Sequence, residues 1–541
     1  MKRLDVAFIW HMHQPYYKDV ITGKYLMPWV RLHGVKDYFP MAALVEKFEN
    51  VKATFNMVPV LAEQLNDYVQ NDASDILLDL TIKKASDLTL DEKFQVLNNF
   101  FRVNFKRFIE PNARYSQLLI KRGMNVSAPA LKKIIKNFSD GDLLDLQVLF
   151  KLSWFHSFGI DEDFNLKSLV EKKESYMEED KEYVIFKQKQ ILSQILPLYR
   201  RLQDTGRIEI TTTPYYHPIL PLLCDTSIAR RSSPAMRLPK QRFAHPEDAE
   251  LQIEEAIKYH TEQFGRPPRG MWPSEGSVSE EALDIVISKG IDWIAADEDI
   301  LFRSLLSSDR RVTYQPYRLK RDSRTLNIVF RDKNLSDMIS FTYNSWDQVK
   351  AAEDLLGHFR RILENLRRDA DRGLATIVMD GENAWEYYED NGRTFFERLY
   401  SNLDGKESSI NSTTVSEYLT AEPHRKTITN IFPGSWINHN FEIWIGEEQD
   451  NLSWEYLVRT RRDLERYTKE ADKHSGVDMS NIRKAWRELY IAEGSDWNWW
   501  YSGKAKAGKD NPFDRLYRMH LKNVYRFLKR PVPDFLKISI A

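Results

Sequence analysis

The apolar positions of this chain fall into two rhythms. Short runs of aliphatic and β-branched residues recur as "DVAFIW" (5–10), "VKATFN" (51–56), "RIEITTT" (207–213), "RGMW" (269–272), "IDWIAA" (291–296), "LNIVFR" (326–331) and "LATIVM" (374–379). Most are nearly continuous in apolar character, as strands covered on both faces must be. Between them lie longer stretches whose apolar residues return every three or four positions, the spacing of a helix face. Strands alternating with helices predict a parallel sheet, and about seven such units predict closure into a barrel.

The interval between the second and third runs is typified by "ALKKIIKNFSDGDLLDLQVLFKLSWF" (130–155) and predicts a helical insertion at about residues 60–200. After about residue 395 the strand signal fades, and "NLSWEYLVRTRRDLERYTKE" (451–470), "NIRKAWRELYIAE" (481–493) and "NPFDRLYRMHLKNVYRFLKR" (511–530) have helical spacing. The expected organisation is an α/β barrel domain over 1–395 followed by an all-α domain over 396–541, and 541 residues are ample for both.

Charge changes the picture by subtraction. Lys and Arg total 78 against 79 Asp and Glu, so there is no electrostatic footprint for nucleic acid or an anionic membrane surface. A neutral partner fits better, and 14 Trp among 12% aromatic residues raise carbohydrate, because these rings stack on the apolar faces of sugars. Cys224 is the single cysteine, which excludes an intrachain disulfide and a cysteine-based metal site. The apolar run "VAFIW" near the start is too short for a secretion signal, and no stretch approaches about 18 apolar residues, so a soluble cytoplasmic protein is expected.

In a parallel barrel, functional groups sit where strands end. The first run ends in "HMHQP", where alternate side chains of an extended chain share a face. His11 and His13 therefore point one way, with Gln14 beside them; packed histidines and zinc ligation are the competing readings of this spacing. The third run leads into "TTTPYYHPILPLL", whose prolines hold the loop around His217 extended. The fourth ends in "GMWPSEGSVSEEAL", where Ser279 caps a helix begun by Glu280 and Glu281, leaving Glu275 separate on the turn. Asp297 and Glu298 follow the fifth run as lining candidates. Asp380 ends the seventh, Gly381 lets the chain turn, and Trp385 follows. Two strand-end carboxylates flanked by Trp272 and Trp385 suit glycoside cleavage, in which one attacks or activates water and the other protonates the leaving oxygen.

The segments "HMHQPYY" (11–17), "GRIEITTTPYYHPILPLL" (206–223), "GMWPSEGSV" (270–278), "VMDGENAWEYY" (378–388) and "GSWINHNFEIWIGEEQDNLSWEYL" (434–457) resemble, in order, those of glycoside hydrolase family 57. The resemblance implies an incomplete seven-stranded (β/α) barrel with a helical domain after it and a retaining mechanism on α-glucans. It assigns the nucleophile to Glu275 and the acid/base to Asp380; both are present, unlike in catalytically incomplete members. It also places His13 and His217, and more weakly His11, in the donor subsite, and brings Trp436, Asn438 and His439 toward the substrate. Trp444 and Trp454 read instead as packing residues.

Within the family, "WPSEGSV", "DGENAWE" and "AEGSDWNWWYSG" (492–503) look most like the amylopullulanase group. Branching enzymes usually place a cysteine after the nucleophile, where this chain has Gly276. The expected activity is hydrolysis of α-1,4 and α-1,6 bonds in starch, glycogen or pullulan, without metal or other cofactor. The alternatives are a 4-α-glucanotransferase or branching enzyme, a metal-dependent deacetylase- or mannosidase-like barrel hydrolase, and a non-catalytic glucan-binding protein.

Overall fold

The computed structural model describes residues 2–540 except 322–323, 368–369, 383, 406–408, 471–478 and 502–510. Asn383 and the end of the 492–503 segment, quoted above, thus lie outside the described residues. Each of the seven apolar runs contains a strand: β1 (Arg3–Met12), β2 (Ala53–Met57), β3 (Ile208–Thr211), β4 (Gly270–Met271), β5 (Trp293–Asp297), β6 (Arg324–Arg331) and β7 (Arg372–Asp380). They lie parallel in the order β3-β2-β1-β7-β6-β5-β4. Strands β3 and β4 meet only through a bridge between Thr212 and Met271, with Trp272 N donating to Thr212 O at 3.0 Å. β6 and β7 share the single pair Thr376–Arg331, and there a side chain helps to close the wall: Arg331 Nε donates to Val378 O at 2.9 Å. The result is a nearly closed barrel.

Strand β1 shows why its run is apolar throughout. Phe8 meets the rings of Phe359 and Tyr400 on the surrounding helices, whereas Ala7 and Ile9 face the interior with Trp272, Trp293, Val329 and Val378. Small Ala7 and Ala295 leave room for the two indoles, so the barrel is a packed core rather than a channel. Helix Val415–Ala421 adds Val415, Tyr418 and Leu419 to that cluster and plugs the end at which β1 begins.

The sheet continues past residue 395. Strand Ile410–Ser412 pairs with Leu4–Val6 of β1, and Lys426–Ile428 pairs with Tyr317–Arg321, which is antiparallel to β6. Strands of three residues are too short to leave a readable alternation in sequence. Between β2 and β3 the chain runs through helices, from Pro59–Gln70 to the 27-residue Glu178–Asp204. The buried Arg31 ties these layers together, reaching Asp75 at 2.8 Å and Gln188 at 2.6 Å. Helices Glu448–Lys469, Met479–Ala492 and Pro512–Phe527 follow the barrel. Trp444 and Trp454 are core residues, with Trp454 Nε1 donating to Trp444 O at 2.9 Å. No described helix is long and apolar enough to cross a membrane.

The β4/β5 contact depends on an absent side chain, since a Cβ on Gly270 would lie 2.1 Å from the Trp293 ring. Gly270→Ala is expected to cost about 1–3 kcal/mol. A thermal melt checks this, and an unchanged midpoint would show slack in that contact.

Candidate active site

Four strand ends converge on one pocket. Asp380 closes β7 in register with His11 of β1. Gly381 then donates its N–H to His11 O at 2.8 Å, in a space where a Cβ would lie 2.2 Å from Met12 Sδ. After β4, Pro273 ends the strand and Ser274–Gly276 form a tight turn with Glu275 at φ 58°, ψ 24°. A left-handed glutamate costs on the order of 1–2 kcal/mol and persists only where its surroundings over-determine it.

The segment after Gly434 supplies that constraint. Val278 and Gly434 exchange backbone hydrogen bonds of 2.8 and 3.1 Å, and Trp436 N donates to Glu275 O at 3.0 Å. Trp436 Nε1 donates to Glu275 Oε2 at 2.7 Å and holds the carboxylate itself. The Arg331 guanidinium packs on the Trp436 ring at 5.2 Å and is anchored by Asp297 Oδ2 at 3.2 Å.

The pocket is electrostatically crowded. Burial, and next the charge of Asp380, push Glu275 up to about 8, against the hydrogen bond from Trp436, which works the other way. The charge of Asp380 thus opposes ionisation of Glu275. Glu382, two residues beyond Asp380, is also raised well above the usual range by burial and by Asp380. It is enclosed, accepting from His13 N at 2.8 Å and from Tyr38 Oη at 2.7 Å.

Opposite lies a stack of imidazoles. His13 and His217 stand 4.0 Å apart at 16°, with His11 5.1 Å from His217. His11 uses both nitrogens, Nδ1 with Asn56 Oδ1 at 2.6 Å and Nε2 with His217 Nε2 at 3.2 Å, and burial drives it down to about 3. His217 Nδ1 pairs with Ser495 Oγ at 2.8 Å and lies 4.0 Å from Glu275 Oε1. His13 Nε2 pairs with Asp496 Oδ1 at 2.8 Å, whereas its buried Nδ1 has no hydrogen-bond partner among the described residues. One donor atom each from His13, His217 and Asp496 lie within 4.8 Å of one another, a set that could hold a metal ion. It is not the His11–His13 pair that the HxH spacing suggested.

The expectation that Trp272 and Trp385 flank the carboxylates as sugar-stacking rings requires correction. Trp272 is 0% exposed, inside the barrel beneath Gly276, and Trp385 is 1% exposed, packed against Trp10 and Phe396 with Nε1 donating to Gly381 O at 3.0 Å. Neither ring can reach a sugar, because each fills core volume at the foot of its loop. Trp436 is the half-buried indole at the carboxylates. Gln14 is buried, its Oε1 accepting from Tyr17 Oη at 3.0 Å. Asn438 and His439 are both left-handed, at φ 51°, and His439 Nε2 contacts Arg303 at 2.5 Å. Asp297 and Glu298 are buried ion-pair partners of Arg331 and Arg310 rather than pocket lining. Ser495, Asp496, Asn56 and Glu382 had no assigned role in the sequence. Glu382 had a signal in the run "DGE", whereas Ser495 and Asp496 reach the pocket through the pairing of Gly494 with Pro218, invisible along the chain.

These features define a parallel β/α-barrel protein with a two-carboxylate centre at the ends of its strands. Residues 7–430 match the model of glycosyl hydrolase family 57, and the chain belongs to that family. No curated protein matches it significantly in sequence. Among solved structures, it is similar in fold to a family 57 branching enzyme from Thermococcus kodakaraensis, with a TM-score of 0.62 at 16% identity over 97% of this chain and 90% of that one. A branching enzyme from Pyrococcus horikoshii gives 0.62 at 18% over 99% and 94%, and the α-amylase AmyC from Thermotoga maritima 0.55 at 14% over 99% and 96%.

The raised value of Glu275 makes a stability test. Unfolded, the carboxyl ionises near 4.5; folded, it holds its proton to about 8, so stability falls as pH rises through that window. Glu275→Gln is expected to melt higher than wild type at pH 8, by on the order of a few kcal/mol, with the gap closing toward pH 4. A second variant probes the turn: Gly276 has φ 58°, and a Cβ there would lie 2.6 Å from Trp272. Gly276→Cys should lower both the melting point and activity, and a variant with wild-type turnover would refute the steric account.

Proposed function

We propose that this protein is a retaining α-glucan-active glycosidase that cleaves α-1,4 and α-1,6 glucosidic bonds, of the amylopullulanase type, by double displacement. The observation that carries the reading is the coupling of Glu275 to Asp380 in a desolvated pocket at the strand ends of a family 57 barrel. Glu275, aimed by Trp436, attacks the anomeric carbon; Asp380 gives its proton to the leaving oxygen and afterwards withdraws one from the incoming water. His13, whose side chain is 10% exposed, is the imidazole of the three that a sugar hydroxyl can approach. His11 and His217 orient that wall through Asn56 and Ser495. Asn438 and His439, after Trp436, flank the outer substrate positions. We assign the barrel to residues 1–395 with its short strands at 410–412 and 426–428 in addition, and the later helices to the part that completes the cleft.

Transfer to a sugar acceptor is the second reading, as in a 4-α-glucanotransferase or branching enzyme. What favours it is the cover Trp436 places over Glu275, whose side chain is only 16% exposed, since restricted water access favours a bound acceptor. Against a branching enzyme stands Gly276, where a cysteine side chain has no room.

Products from pullulan and soluble starch, separated by chromatography, decide between these. Short sugars from both, lost on the order of 10⁴-fold in Glu275→Gln and about 10²–10⁴-fold in Asp380→Asn, are expected. Rearranged starch with little gain in reducing ends would establish transfer, and full activity in Glu275→Gln would overturn the assignment. The reaction needs one carboxylate and one carboxylic acid, so kcat/KM should fall above about pH 8, where Glu275 loses the proton the pair needs. Activity abolished by a chelator and restored by a divalent ion would favour the His13–His217–Asp496 metal reading instead.

A further inference from the structure

Behind the histidine wall, on the outer side of the Tyr215–His217 loop, runs a second groove of about 670 Å³. It lies between helices Pro246–Phe264 and Met479–Ala492, and the loop is pinned to the former by Tyr215 N on Gln252 O (3.0 Å) and Tyr216 N on Gln252 Oε1 (2.9 Å). Four half-buried rings line it: Tyr215, Tyr259, Trp486 and Tyr490. Trp486 and Tyr490, one helical turn apart, lie near-parallel at 5.7 Å and 28°. The rings are fixed from behind, by Trp486 Nε1 on Thr468 Oγ1 at 3.1 Å, Tyr215 Oη on Glu63 Oε2 at 2.9 Å and Asn66 Nδ2 on Tyr259 Oη at 3.0 Å. Fixed rings offer contact area at little entropic cost, and their faces suit the C–H surfaces of pyranoses.

The polar groups point the same way. Among the described residues the Arg483 guanidinium and the Tyr490 hydroxyl make no hydrogen bond, and both residues line the groove. Arg487 is by contrast spent on Glu63, Tyr216 Oη and Tyr16 Oη, so its charge is neutralised locally. A groove with rigid aromatic faces, free donors and balanced charge selects a neutral polyhydroxylated chain over an anion or an apolar peptide.

We propose that this groove is a second, non-catalytic binding site for an α-glucan chain, which holds a polysaccharide on the enzyme while another of its branches is processed. This rests on the α-glucan reading of the active site.

The test uses the full-length chain in a Glu275→Gln background, run through native gels containing glycogen so that the matrix is not consumed. Trp486→Ala/Tyr490→Ala is expected to weaken retardation by about tenfold in apparent Kd. Leu251→Arg, which projects a cation into the groove from a partly exposed helix position, should do the same while folding normally by thermal melt. If wild type converts α-glucans but both groove variants are retarded like their parent, the groove proposal falls alone. If wild type neither converts nor is retarded by any α-glucan, the functional reading falls and the groove with it. A change in mass by light scattering in the groove variants, with retardation unchanged, marks an interface between copies and also overturns the proposal.

Discussion

Two carboxyl groups in a largely buried pocket cannot both be charged without a penalty, and the site is arranged around that constraint. Asp380 raises Glu275 and Glu382 alike, so three acidic groups within one rim are kept from ionising together. The surroundings sort them by hydrogen bonding. Glu382 is enclosed by a backbone amide and a tyrosine, which leaves it a support for the His13 loop. Glu275 receives one indole N–H on a single oxygen, which leaves the other facing His217.

Holding Glu275 there takes a strained backbone, and the strain is balanced by a strap. The stretch from Gly434 to Asn440 crosses the turn, pairs with Val278 and brings Trp436 over the carboxylate. The strap can fold back on itself because Gly434 has no side chain; a Cβ there would lie 2.3 Å from His439 O. Beneath, Trp272 fills the space that Gly276 leaves. The glycines at 276 and 381 serve close approach to Trp272 and Met12, which is why the carboxylates can stand so near the barrel core.

Much of this was legible in the chain. The seven apolar runs marked the seven parallel strands because strands buried on both faces must be apolar throughout, as Phe8 outside and Ile9 inside show. Glu275 and Asp380 stood out because each follows a strand and neither begins a helix, and both lie at the pocket. Trp272 and Trp385 misled, since an indole beside a carboxylate in sequence says nothing about which way it faces; here both turn inward. The strands at 410–412 and 426–428 were hidden by their length, and Ser495 and Asp496 by their distance along the chain from the residues they touch.

That last contact carries a consequence for timing. Both carboxylates and all three histidines precede residue 400, yet the hydrogen-bond partners of His13 and His217 arrive only with Ser495 and Asp496, beside the pairing of Gly494 and Pro218. During synthesis on the ribosome the barrel strands therefore emerge first, with His11 held by Asn56 but His13 and His217 still lacking these partners. The two imidazoles thus gain their outer hydrogen bonds only once residues 495 and 496 have docked against the Pro218 loop.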